Sequence, residues 1–403
     1  MGMLRRIYLD NSATTSVDPQ VVEVMLPYLT GKFGNPSSIH FFGQEARAAV
    51  DKARHQAAKL INARPNEIVF TSGGTEANNL AIRGMLEAAG QKRDSYGVCG
   101  KHLITSAIEH SSVKNICQDM EKRGCDVTYL PVYDDGIVRI EDLQNAIRED
   151  TALISVMTAN NEIGTIQPVE EIGNFVKSLR SNSRKILFHT DAVQAAGKIP
   201  VDVEDIGCDL LTISAHKIYA PKGVGALYVR RGVRLRPQNI GGHQERERRG
   251  GTESVANIAA FGKACEMVTD SSIESARLAT LRDRLEAGVL ATISDAVVNG
   301  RSDRRIPTIS NISLGGIEGE GLLISLDMQG IAVSTGSACS SGSLEPSPVI
   351  RALGRNDEMA RGAIRFSFGK DNSMEDVDQV LEVLPRAVEN LRKLAPKWSM
   401  HNA

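Results

Sequence analysis

The chain has no excess of either charge. Its 403 residues carry 47 Lys and Arg against 49 Asp and Glu, a net charge of -2, so no global field draws it to nucleic acid or to an anionic membrane. Paired cysteines are missing too. Cys99, Cys117, Cys125, Cys208, Cys265 and Cys339 are scattered without a CxxC spacing, which argues against a zinc knuckle and against a disulfide framework. No apolar run is long enough to span a bilayer. At the N-terminus, Asp10 and Asn11 arrive before the apolar core of a signal peptide can form, and Arg6 stands where a myristoylation motif at Gly2 wants Ser or Thr. A cytoplasmic location, with no membrane or nucleic-acid partner, is therefore expected. Internal repeats and low-complexity tracts are also lacking.

What is present suits one large domain with a satellite, or two domains: 41% of the residues are hydrophobic and 24% charged. From about residue 45 to 230, helix-period stretches alternate with short apolar runs at Glu67–Thr71, His102–Thr105, Val127–Leu130, Ala152–Met157, Ile186–His189, Leu210–Ile213 and Gly225–Val229. Such alternation predicts an α/β domain, a mostly parallel sheet with helices on both faces. A helix over Val255–Met267 and an amphipathic stretch from Ser271 to about Ile293 lead into a second region. That region has strand-like pieces at Thr308–Leu314, Ile331–Ser334 and Ala363–Ser367 and a final helix near Met374–Leu394. The expected organisation is a large α/β domain over 16–263 and a small α+β domain built from 1–15 and 264–403.

Polar groups follow several of the apolar runs. In an open parallel sheet the carboxyl ends of the strands line the ligand crevice, so Ser72 to Asn79, His110, Asn160 to Gly164, Asp191 and Ser214 to Lys217 are expected to face one site. Thr71-Ser-Gly-Gly-Thr-Glu-Ala-Asn-Asn79, between a strand and a helix, offers backbone N–H groups and a helix N-terminus to a phosphate; on spacing alone it serves equally as a tight turn capped by Thr75. Asp191 suits a protonated ring nitrogen as partner, or else a helix N-cap. Lys217 at the end of an apolar strand is costly unless its amine is used, for instance as an imine with an aldehyde cofactor, although a lone lysine is more often solvated. Lys222, between Pro221 and Gly223, reads as a turn residue. His110 can stack on a ring or shuttle a proton, or be an ordinary polar residue. Arg365 can present a fork to a carboxylate or form a structural ion pair. Cys339 lies among small polar residues, Ser334-Thr-Gly-Ser-Ala-Cys-Ser-Ser-Gly-Ser343, a composition that marks it as the reactive cysteine.

Taken together, eight ordered segments resemble the cysteine desulfurases of the NifS/IscS type, within the class-V aminotransferase family and the fold-type I pyridoxal-phosphate enzymes. They are Tyr8-Leu-Asp-Asn-Ser-Ala-Thr-Thr15, Gly34-Asn-Pro-Ser-Ser-Ile-His40, Thr71-Ser-Gly-Gly-Thr-Glu76, Asn160-Asn-Glu-Ile-Gly164, His189-Thr-Asp-Ala-Val-Gln194, Ser214-Ala-His-Lys217, Arg249-Gly-Gly-Thr252 and Ser337-Ala-Cys-Ser-Ser-Gly-Ser-Leu-Glu-Pro346. The resemblance runs over nearly the whole chain. It implies a mostly parallel seven-stranded sheet in the large domain, with the Cys339 loop on the small one.

The same resemblance assigns roles. Lys217 joins the pyridoxal 5'-phosphate aldehyde, Asp191 pairs with the pyridine nitrogen, His110 stacks on the ring, and Asn161 and Gln194 lie near the ring oxygen. Gly74, Thr75, Ser214 and His216 hold the phosphate, with Thr252 reaching in from the other subunit of a homodimer. Asn35 and Arg365 hold the carboxylate of L-cysteine. Lys217 removes the α-proton, and Cys339 attacks the substrate sulfur to give a persulfide and alanine. No intrinsic metal is implied, although Cys339 could transiently ligate a nascent iron–sulfur cluster. An iron–sulfur scaffold protein or another sulfur acceptor is the implied partner, and the longer NifS/IscS-type loop around Cys339 favours direct delivery. Leu391-Arg-Lys-Leu-Ala-Pro-Lys-Trp-Ser-Met400 resembles the C-terminal region of the housekeeping members. A selenocysteine lyase, another aminotransferase or lyase of the same fold, and a non-enzymatic scaffold are the rival readings.

Overall fold

The computed structural model describes residues 5–89, 102–181, 185–269, 272–300, 303–336 and 345–394. Cys339 and Cys99 lie outside the described residues. The first strand, β1 (Ile7–Tyr8), belongs to a small second region. The next seven are β2 (Ile68–Thr71), β3 (His102–Ser106), β4 (Asp126–Leu130), β5 (Thr151–Ser155), β6 (Leu187–Asp191), β7 (Leu210–Ser214) and β8 (Gly225–Val229). They form one sheet in the order β2-β8-β7-β6-β5-β3-β4, parallel except that β8 runs antiparallel to both of its neighbours.

These strands are apolar on both sides because both faces are covered. Successive side chains of a strand point to opposite faces. Leu103, Leu153, Leu210 and Leu227 accordingly enter a core shared with the helices Gly74–Ala89 and Ser111–Lys122. Their immediate neighbours Ile104, Ile154, Leu211 and Tyr228 enter the opposite core, shared with the helices Phe41–Leu60, Val169–Ser181 and Val255–Val268. The edge strand β4 is the exception in burial: Asp126 is exposed and Val127, Thr128 and Tyr129 are half-buried. The strand expected over Ala152–Met157 ends at Ser155, and the N–H of Met157 turns to Glu109 Oε1 at 2.9 Å.

The small region has its own core, with Ile7, Leu9, Leu281, Leu285, Ile364, Phe366, Val380 and Leu384 buried together. Here β9 (Ala296–Val298), β10 (Ile309–Leu314) and β12 (Ala363–Ser367) form an antiparallel sheet in the order β12-β10-β9, while β1 pairs in parallel with β11 (Ile331–Ala332). The helices Ser272–Thr292 and Met374–Leu394 contribute their buried apolar residues to this core. The strand expected over Ile331–Ser334 keeps only its first two residues in a ladder, and Ser334 makes an isolated bridge to Arg365. The helix Val255–Val268 runs through the boundary expected at 263/264, and Phe261, Ala264 and Cys265 all belong to the large core. We infer that the two units divide after Val268. Among the described residues no helix is long and apolar enough to cross a membrane.

Candidate active site

β2 and β8 are antiparallel, as are β8 and β7, so β2, β3, β5, β6 and β7 all end on the same edge of the sheet. Beyond that edge lies a cavity of about 290 Å3, bordered by Gly74, Thr75, His110, Asn161, Asp191, Gln194, Ser214, His216, Lys217 and Arg365. Ten of the residues expected from sequence are thus brought together by the folding of distant segments.

The phosphate-cup candidate is a true helix start. The helix Gly74–Ala89 begins immediately after Gly73, whose φ is +152°. A Cβ at Gly74 would sit 3.1 Å from Val193 Cγ2 and 3.6 Å from Ser214 Cβ, so a glycine lets the helix N-terminus close onto the end of β7. Thr75 falls inside the first turn of the helix and is not its cap. Facing this start, the Ser214 hydroxyl is buried and has no hydrogen-bond partner among the described residues. His216 is held near Thr14 Oγ1 at 3.2 Å. Burial, then the charges of Lys217, Lys222 and Lys198, pull its imidazole down to about 4, so it is neutral at pH 7.

Asp191 ends β6 and is buried. Its Oδ1 accepts from the N–H of Val193 at 3.0 Å and its Oδ2 from Asn78 Nδ2 at 2.8 Å. Asn78 Nδ2 also donates to Ser112 Oγ at 2.9 Å. Ser112 Oγ lies 2.8 Å from His110 Nδ1, which accepts the N–H of Ser112 at 3.1 Å as the cap of the helix Ser111–Lys122. With Nδ1 accepting, the ring N–H is the one on Nε2. One asparagine therefore fixes the aspartate and, through a serine, the histidine.

Lys217 closes a short 3-10 turn after β7, and its Nζ donates to the carbonyls of Ser12 and Ala13 at 2.5 and 2.7 Å. Two residues on, Tyr219 takes a left-handed conformation with φ 66°, held by Thr15 Oγ1, which accepts its N–H at 2.8 Å. Opposite stands Arg365 on β12, 3% exposed. Its Nη1 donates to the Asn161 carbonyl at 2.9 Å and its Nη2 to Asp10 Oδ1 at 2.8 Å, while Nε is buried without a partner among the described residues. The ion-pair reading of Arg365 and its position on the cavity both hold.

Asn35 does not join this group. Its side chain is exposed and accepts the N–H of Ser37 at 2.9 Å, which ties it into its own turn and away from the cavity of its chain. The expectation that Asn35 and Arg365 share one carboxylate is therefore not met within one chain. Thr252 is also exposed and outside the cavity of its own chain. Lys222 is exposed beside Gly223, where φ is +85°. Cys117, Cys125, Cys208 and Cys265 are buried, and burial pushes the Cys117 thiol up to about 12.

Sequence reasoning left several roles unassigned. Asn78 falls in the segment expected to face the site but was given no partner; it lies among the buried Ala77, Leu80 and Ala81, and a lone amide in such company was the available signal. Glu109 is buried behind the cavity, where Ser106 Oγ donates to it at 2.6 Å; burial pushes its carboxyl up to about 8. The carbonyls of Ser12 and Ala13 carry no side-chain signature at all.

Several known proteins share this architecture. The family model described as aminotransferase class-V matches residues 7–380. A relative named cysteine desulfurase IscS, from Dictyoglomus turgidum, is 49% identical over 403 residues, covering 99% of each chain. A solved structure titled NifS-like protein superposes with a TM-score of 0.87 at 36% identity, over 96% of this chain and 100% of that one. Another, titled SspA in complex with cysteine, gives a TM-score of 0.78 at 36% identity over 90% and 98%. With a family model spanning most of the chain and a near half-identical relative spanning all but its margins, this chain belongs to the class-V aminotransferase family and, within it, to the cysteine desulfurases of the NifS/IscS type.

Proposed function

We propose that the protein is a cysteine desulfurase that works with pyridoxal 5'-phosphate, moves sulfur from L-cysteine to Cys339 as a persulfide, and releases L-alanine. The observation that carries this function is the convergence of a lysine amine, a buried aspartate, an open helix N-terminus and a buried guanidinium on one cavity.

The residues fit the cofactor. A buried Ser214 hydroxyl without a partner and the N–H groups starting at Gly74 suit a phosphate, with Thr75 and neutral His216 alongside. Asp191, buried and pinned from two sides, suits a protonated ring nitrogen, and Lys217 suits an aldehyde. His110 stands ready to stack on the ring, and Asn161 and Gln194 border the same space. When bound, pyridoxal phosphate supplies an electron sink for the substrate α-carbon.

Each residue then has a task. Lys217, first held over the Ser12 and Ala13 carbonyls, is the group that takes the α-proton of cysteine and returns it to carbon. Asp191 keeps a proton on the ring nitrogen. Arg365 orients the substrate carboxylate, its own plane fixed by Asp10 and the Asn161 carbonyl. The Cys339 thiolate forms a bond to the substrate sulfur as the Cβ–S bond breaks; the electron pair of that bond stays with carbon, which ends as the methyl of alanine once protonated.

The exposed Phe33, Ile39, Phe41 and Phe42 favour a homodimer, in which Thr252 reaches the neighbouring cavity. The sulfur passes on, in the cytoplasm, to an iron–sulfur scaffold protein or another acceptor.

The test is turnover of L-cysteine by the purified protein supplied with pyridoxal phosphate. Alanine and sulfide should appear together. Cys339→Ala should keep the yellow absorbance of the bound cofactor and lose alanine formation. Unchanged turnover in that variant would overturn the persulfide step, and a wild-type protein that binds no cofactor would overturn the enzyme.

A further inference from the structure

A half-buried lysine that none of the steps above uses is tied into the wall of the cavity. Lys198 Nζ donates to Gln194 Oε1 at 2.6 Å. Gln194 Nε2 in turn donates to the Ser12 carbonyl at 3.0 Å, the same carbonyl that accepts from Lys217. The backbone of Lys198 is held as well, since its carbonyl accepts from Ser275 Oγ at 2.7 Å, on the helix Ser272–Thr292 of the small region.

The donor and acceptor inventory gives this chain a direction. A backbone carbonyl can only accept, so Ser12 selects the nitrogen end of the Gln194 amide. The oxygen end is then left to Lys198. An amide nitrogen carries two hydrogens, and one of them is used on Ser12. Gln194 is 4% exposed and borders the cavity, so the second hydrogen is what it has to offer there. Without Lys198 the buried amide oxygen would lose its donor, a loss that favours a flipped or displaced side chain. Burial, then the charges of Lys217 and Arg365, pull the Lys198 amine down to about 7; an apolar side chain of similar length would avoid that cost.

We propose that Lys198 is a positioning residue that locks the Gln194 carboxamide so that it presents a hydrogen-bond donor to the ring oxygen of the cofactor, an inference that rests on the pyridoxal-phosphate function proposed above. Lys198 touches neither the cofactor nor the substrate; it acts through Gln194.

The experiment compares how tightly the cofactor-free protein binds pyridoxal 5'-phosphate and 3-deoxypyridoxal 5'-phosphate, which lacks the ring oxygen. The wild-type protein should prefer the parent by about tenfold, the worth of one good buried hydrogen bond. Lys198→Met should lose most of that preference while its affinity for the deoxy analogue stays within about twofold, and Lys198→Arg, which can still donate, should recover part of it. A Lys198→Met protein with the wild-type preference overturns the proposal. So does one whose affinities for both compounds fall by the same factor, because that pattern marks a merely structural lysine. Gln194→Leu gives an independent check if Lys198→Met fails to fold: it too should lose the preference, and a retained preference overturns the proposal. A wild-type protein that binds neither compound defeats the cofactor function itself, which is a different result from binding without the predicted change in preference.

Discussion

The large sheet and the small region both border the cavity, but they hold their contributions differently. Asp191 and His110 are fixed by neighbours within two residues, Val193 and Ser112, with Asn78 joining them from the adjacent helix. Arg365 is fixed by Asp10 and by the Asn161 carbonyl, 355 and 204 residues away along the chain. The first set can form as soon as the large sheet forms. The second exists only when the N-terminal segment, the large sheet and β12 have all met. The groups proposed to face a cofactor are thus anchored locally, and the group proposed to grip the substrate depends on the meeting of the two regions.

This contrast can be broken or sharpened by substitution. The largest effect is expected for Asp191→Asn, which keeps an acceptor for the Val193 N–H but removes the charge: the cofactor should still bind, and turnover should fall by about a hundredfold or more. Failure to bind the cofactor would instead make Asp191 chiefly an anchor. Arg365→Ala should act at the other stage, raising the KM for cysteine by about 10- to 100-fold with a smaller change in kcat, as expected for the loss of a charge-assisted bond. A kcat loss without a KM change would move Arg365 out of substrate binding. Next comes Asp10→Asn, which leaves Arg365 in place with a weaker partner; a rise in KM of about threefold is expected, and no cofactor-binding defect.

The smallest effect on catalysis, and a distinct one on stability, belongs to Glu109. Its carboxyl stays protonated in the folded protein up to about pH 8, whereas in the unfolded chain the proton leaves near 4.5. The folded state therefore binds the extra proton between these values. The stability this provides is complete below pH 4.5 and is lost as the pH rises toward 8. Glu109→Gln removes the titration, so relative to wild type its melting temperature should rise between pH 5 and pH 8; a constant difference across that range would refute the shift.

Much of this was legible in the sequence, for identifiable reasons. Most of the strands β2 to β8 were readable because both faces are covered, which leaves continuous apolar runs; the edge strand β4 is the exception. The helix Met374–Leu394 was readable to its ends because one face packs on the small core with helical period. By contrast, β1 and β9 are two and three residues long, too short for a pattern, and β1 owes its existence to a partner far along the chain, the Ile7–Ile331 pairing. In the site, Asp191, Ser214 and Lys217 were readable as polar groups stranded at the ends of buried strands. The partners of Asn78 and any part for Lys198 were not, because their meaning lies in which atom of a neighbour they meet. Asn35 lies outside the cavity of its own chain, because a motif match records residue order and carries no information on where the turn at Ser37 presents the amide.

The alternation of strand residues between two cores has a further consequence, for how such a protein can drift. Each strand acts as a ruler. Inserting one residue between Leu210 and Leu211, with Leu210 held in place, would advance Lys217 by about 3.3 Å and also turn Leu211 toward the wrong core. Apolar side chains that never meet a ligand therefore police the location of an amine.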